Sequence, residues 1–175
     1  MCGTKSCGCG GCGRCRDGSS DHEVAERHLA RCGKLVEIAE RLPPLELPAD
    51  APAELKTRLA QTEGDALWCT VAQVGHIEAA MPGYARAWRA KANEPELDGL
   101  MLEAADGLVS YLKTHRRLDR LGQHISPGRT YLEFLGDIDA LILALDCFGL
   151  DTYALKARLQ AEMTDAIGSS DISLV

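Results

Sequence analysis

Residues 1–20 hold five cysteines (Cys2, Cys7, Cys9, Cys12 and Cys15) and, Met1 apart, no aliphatic or aromatic side chain. A stretch with nothing to bury cannot offset the entropy lost on ordering it, so it needs another source of folding free energy. Five glycines within the first 15 residues enlarge that loss. Charge changes at the same place. Lys5, Arg14 and Arg16 against Asp17 leave the segment at +2, so the remainder carries −9 within an overall net charge of −7. The expected organisation is therefore a Cys/Gly-rich arm at 1–20, a helical domain at 21–167 and a polar tail at 168–175.

Disulfides or a bound metal would supply the missing free energy. No apolar leader stretch precedes Val24, so a reducing, cytoplasmic setting is expected, where thiols stay free. Cys7 and Cys9 are also too close in sequence for ordinary bridge geometry. Metal binding fits better, because thiolates converging on one ion or cluster turn binding energy into folding energy. In Cys9-x2-Cys12-x2-Cys15 three sulfurs can face one side of a tight loop, with glycines permitting the turns.

That run resembles the cluster-binding loop of bacterial-type ferredoxins, which grips three irons of a [4Fe–4S] cluster and takes its fourth cysteine from elsewhere. Here the fourth ligand is expected from Cys2, Cys7 or Cys32. No Cys-Pro follows after three further residues and no second such run exists, so the resemblance extends to the loop and not to a ferredoxin fold. Cys7-x-Cys9 followed by Cys9-x2-Cys12 also looks like metallothioneins, in which sulfurs bridge Zn(II) or Cu(I) ions.

The rest of the chain reads as helix. Alanine and leucine number 23 and 24 of 175 residues, whereas Val, Ile and Thr together number 21, a balance that favours helices over strands. Helical spacing runs from Asp21 to Leu42 with Val24, His28, Cys32, Leu35 and Ala39 on one face. Pro43-Pro44 stops it, and residues 43–52 form a proline-rich connector. Further helices are expected over 53–81 (breaking at Gly64), 84–93, 95–121 (lined by Leu97, Met101, Ala104, Leu108, Tyr111 and Leu118), from Ser126-Pro127 to Phe148, and from Asp151 to Ile167 along Leu155, Leu159 and Met163. The fold class is thus all-α, a five- or six-helix bundle preceded by a short irregular metal-binding arm. The helix ending at Phe148 is apolar on nearly every side, which marks it as the buried central member.

Within that body several polar residues stand out. Asp65, Cys69, Gln73 and His76 make a ribbon along one helix, either facing a metal or substrate or forming a hydrogen-bonded strip. Asp139, between Leu135 and Leu143, is expected to be a buried carboxylate, catalytic or paired with an arginine. Lys113, Arg116, Arg117 and Arg120, with His115 among them, form a basic cluster suited to an acidic partner or to the helix C-terminus. His28 and Cys32 lie within reach of the arm, His22 sits at the junction, and Cys147, Trp68 and Trp88 suit packing.

No nucleophilic triad motif, phosphate loop or H-E-x-x-H is present, and the residues three before each histidine rule out Glu-x-x-His pairs, so no enzyme is expected. The acidic balance argues against nucleic acid, and no apolar run is long enough to span a membrane. Three functions remain. The first is an iron–sulfur accessory protein for electron transfer, cluster carriage or protection of a metalloenzyme, with a metalloenzyme or redox protein as partner. The second is a Zn2+ or Cu+ store or sensor. The third is a helical interaction module with a regulatory arm.

Overall fold

A computed structural model describes residue 38 and residues 40–64, 66–122 and 129–170. Among the described residues there are six helices and no strand: α1 (Ala53–Thr62), α2 (Leu67–Ala80), α3 (Tyr84–Lys91), α4 (Leu97–Arg120), α5 (Tyr131–Cys147) and α6 (Tyr153–Ser170). The all-helical expectation holds, and so does the break at Gly64, where α1 and α2 separate. No described helix is long and apolar enough to cross a membrane.

The helices sort by how many of their sides are apolar. α2 and α5 are apolar on most of theirs, and they pack more extensively on each other than on any other element. α4 is amphipathic. Its Met101, Ala104, Leu108, Tyr111 and His115 recur at helical spacing and are all buried, whereas Leu118 is only half-buried. Phe134 of α5 is the hub of the core. Trp68 of α2 and Tyr111 of α4 meet it edge-on at 6.1 and 6.2 Å, and His115 stacks on it at 4.6 Å. Trp88 of α3 stacks on Phe148 and donates its indole N–H to the Pro43 carbonyl (3.0 Å), which ties the proline-rich connector to the bundle. Both tryptophans therefore pack as expected.

α2 and α5 touch through backbone. Where they cross, a Cβ on Gly75 would lie 1.8 Å from the Ala140 carbonyl oxygen. Only hydrogen fits there, so this glycine sets the separation of the two central helices.

Two boundaries in the carboxy-terminal half differ from expectation by three residues or more. Ser126 and Pro127 lie outside the described residues, and α5 starts four residues later. Thr130 is its N-cap: its hydroxyl oxygen accepts from the Glu133 N–H (3.3 Å), and the Glu133 carboxylate accepts from the Thr130 N–H (2.8 Å). This reciprocal capping box satisfies two donors at once, an advantage a lone serine cap lacks. α6 runs on to Ser170, past Ile167, whose side chain is 66% exposed and not on the inner stripe; Glu162 is buried instead.

Two expected outcomes follow. Gly75→Ala should lower unfolding free energy by about 3 kcal/mol, the upper range for overpacking against backbone, whereas Gly99→Ala, with nothing within 4 Å of the added methyl, should not destabilise; urea denaturation compares them. The Thr130 N–H and hydroxyl hold the Glu133 carboxyl below the ordinary glutamate value of about 4.5. A depressed folded-state pKa gives stability that is complete above the unfolded value and lost as pH falls through the folded one. The difference in urea midpoint between wild type and Glu133→Gln should therefore be constant near neutrality and shrink below about pH 4.5.

Candidate functional site

The polar ribbon of α2 faces α1 and α5, and there it meets a buried carboxylate. That carboxylate is Asp137, which is 1% exposed. Asp139, the residue expected in this role, is exposed. The reason is angular: two residues turn a helix by about 200°, and Asp137 shares the face of Phe134 and Leu141, both fully buried, while Asp139 shares that of the exposed Leu132.

Each element delivers one or two groups to this point. Thr62, the last residue of α1, brings its hydroxyl to 2.9 Å from Asp137 Oδ1. Arg58, one turn earlier, donates from Nη2 to the same oxygen (3.1 Å) and to the Glu133 carbonyl (3.0 Å). It can lie across α5 because residue 136 is glycine; a Cβ there would come within 2.5 Å of Nη2. His76 Nε2 lies 3.0 Å from Oδ1, so Nε2 carries a proton and donates it to the carboxylate. The Arg58 Nε at 3.4 Å from that same nitrogen adds little, since Nε2 is already a donor.

Arg129 completes the cluster. Its Nε lies 3.1 Å from Asp137 Oδ2, near enough for charge attraction but out of line for a hydrogen bond. Its Nη2 donates to the Thr62 carbonyl (2.8 Å), which closes the C-terminus of α1, and its guanidinium lies 5.2 Å over the Trp68 ring. Two guanidiniums and one imidazole thus face a single carboxylate. Cys69 sits 3.6 Å from Arg129 Nη2. Burial pushes its thiol pKa up, against the pull of Arg129, so the sulfur stays protonated and a poor nucleophile. Gln73 donates to the Leu59 carbonyl (2.9 Å). The ribbon is therefore the hydrogen-bonded strip, and its chemistry is that of a lock across α1, α2 and α5.

A second polar cluster lies at the far end of α4. Arg116 Nε pairs with Glu162 of α6 (3.4 Å), and the same Oε1 accepts the Tyr131 hydroxyl (3.0 Å). Burial, then the Glu162 charge, holds that phenol well above its usual range. Lys113, Arg117 and Arg120 are exposed, whereas His115 turns into the core.

The expected metal ligands Cys2, Cys7, Cys9, Cys12, Cys15 and Cys32 lie outside the described residues, as do His22, His28 and Asp65. Among the described residues no group of three or more His, Cys, Asp or Glu side chains is arranged to hold an ion. Cys69 and Cys147 are free thiols, the first beside Arg129 and the second hydrogen-bonded to Glu78. No protein-family model, curated protein or solved structure matches this chain.

Of the cluster residues, Arg58, Thr62, Arg129 and Asp137 were not legible in advance, because no periodic signal marks which arginine reaches which carboxylate. Removing the central charge leaves two guanidiniums without their counter-ion. Asp137→Asn should cost about 3 kcal/mol and Asp139→Asn less than about 0.5 kcal/mol, read by urea denaturation; equal losses would contradict the assignment.

Proposed function

We propose that this chain is a small iron–sulfur accessory protein. Cys9, Cys12 and Cys15 ligate a [4Fe–4S] cluster, with the fourth ligand from Cys2, Cys7 or Cys32, and the helical body recognises a protein partner. The observation that carries the reading is the Cys-x2-Cys-x2-Cys run inside a segment with no apolar side chain to hold it in shape. Ligation by three or four thiolates both orders such a loop and explains its cysteine density.

The bundle supports this division of labour. Its described residues include a continuous apolar core around Phe134, and Asp137 is met by Arg58 and Arg129. Its thiols, Cys69 and Cys147, are engaged by Arg129 and Glu78, which leaves cluster ligation to the amino-terminal cysteines. An accessory role suits such a pairing: electron transfer, cluster carriage or protection of a metalloenzyme, with a metalloenzyme or redox protein as partner.

The Cys7-x-Cys9 pair favours a second reading, a Zn2+ or Cu+ thiolate site, since one cubane uses only four ligands. Metal and acid-labile sulfide analysis of protein purified without oxygen separates the two. The iron–sulfur reading expects a brown protein with about four irons and four sulfides per chain, lost in Cys9→Ser, Cys12→Ser and Cys15→Ser. Colourless protein with stoichiometric zinc or copper would shift the assignment to the second reading, and metal-free protein would defeat both.

A further inference from the structure

The end of the bundle where α4, α5 and α6 meet carries an open groove of about 530 Å³. Leu132 and Leu135 of α5 and Met163 and Ile167 of α6 form its apolar wall, and Arg116 and Arg120 of α4 border it. Leu132 is 73% exposed and Ile167 66%; Leu121, next to Arg120, is also 66% exposed. Large apolar side chains gathered in this way at one place mark an interaction surface rather than scattered surface residues.

Charge lies along one side of it. Lys113, Arg117 and Arg120 are exposed at i, i+4 and i+7, a stripe of about 10 Å along α4 at 1.5 Å per residue, on a chain whose net charge is −7. Asp119 also borders the groove. Arg116 points to what is missing. Its Nε is engaged by Glu162, while its Nη1 is buried and meets no hydrogen-bond acceptor among the described residues. A buried guanidinium N–H without an acceptor is costly, and a carboxylate seated in the groove would supply one.

We infer that this groove docks an acidic amphipathic helix of a partner protein. Aliphatic side chains on one face of that helix fill the apolar wall, and flanking carboxylates reach Arg116 and the Lys113–Arg120 stripe. A small amphiphile with one anionic head would neutralise only a single cation of a stripe this long. The inference rests on the reading that the helical body recognises a protein, and it names the surface and the partner chemistry; it does not depend on the metal.

The test titrates full-length protein with synthetic peptides of about 15 residues, long enough to form a helix on binding. One peptide carries leucines at helical spacing flanked by glutamates, a second replaces each glutamate by lysine, and laurate serves as the small amphiphile. Nuclear magnetic resonance shift mapping locates the site and fluorescence anisotropy gives the affinity. The acidic peptide should bind saturably, more weakly at high salt, with shifts confined to the end of α4, the start of α5 and the end of α6. The lysine peptide should bind at least about tenfold more weakly. Leu132→Asp and Arg120→Glu, both at exposed positions, should each weaken binding about tenfold with thermal unfolding unchanged.

No saturable binding of the acidic peptide, equal binding of both peptides, or shifts on another face would overturn the inference. So would laurate alone occupying the groove, or dimerisation abolished by Leu132→Asp. Running the titration on iron-loaded protein and on Cys9→Ser keeps the two proposals apart. Iron-free protein that still binds the peptide leaves docking intact, and iron-loaded protein that does not bind it refutes docking alone.

Discussion

A carboxylate held 1% exposed is tolerable only where charges and donors meet it, and Asp137 is met from α1, α2 and the approach to α5. That requirement reaches well beyond one side chain. It fixes where α1 ends, since Thr62 and the Arg129 that closes its last turn both belong to the cluster. It fixes the rotation of α2, since His76 has to face inward. It also needs a glycine at 136, so that Arg58 can cross the surface of α5.

The second constraint acts on the same pair of helices. Gly75 lets α2 sit on the backbone of α5 at Ala140, and nearer the start of α5 Phe134 gathers Trp68, Tyr111 and His115. Polar lock, backbone contact and aromatic hub together make α2 and α5 a rigid axis. α3 and α4 then cover it with one face each. α6 lies along α4, tied by Arg158 to Asp106 and by Arg116 to Glu162. Beyond Glu162, Met163 and Ile167 of α6 line the open groove that this helix forms with α4 and α5.

The helical character of the chain was plain in its Ala/Leu content and its punctuation. Pro43-Pro44, Gly64, Pro82-Gly83 and Gly149 all fall at or between element ends. The central place of α5 followed from its apolar run, but the same run hid the buried carboxylate. When every side of a helix is apolar, periodicity does not rank its faces, and Asp139 was singled out where Asp137 is the buried residue. Long-range pairs such as Arg58 with Asp137, 79 residues apart, leave no local trace. The capping box was legible as Thr-x-x-Glu at 130–133, yet Ser126-Pro127 carries the same kind of start signal in the sequence a few residues upstream. The polar ribbon on α2 was visible at its correct spacing, and what it lacked was the identity of its partner helix.

The proposed function divides the chain into two parts held by different forces: a bundle with its own apolar core, and an arm that thiolate–metal bonds would order. Native-state hydrogen exchange on anaerobic protein, before and after removal of the metal by a chelator, addresses that division most directly. The account predicts that amide protection in residues 1–20 vanishes with the metal while α2 and α5 exchange as slowly as before. Unchanged protection at 1–20, or loss of protection in α2 and α5 on the same timescale, would contradict it.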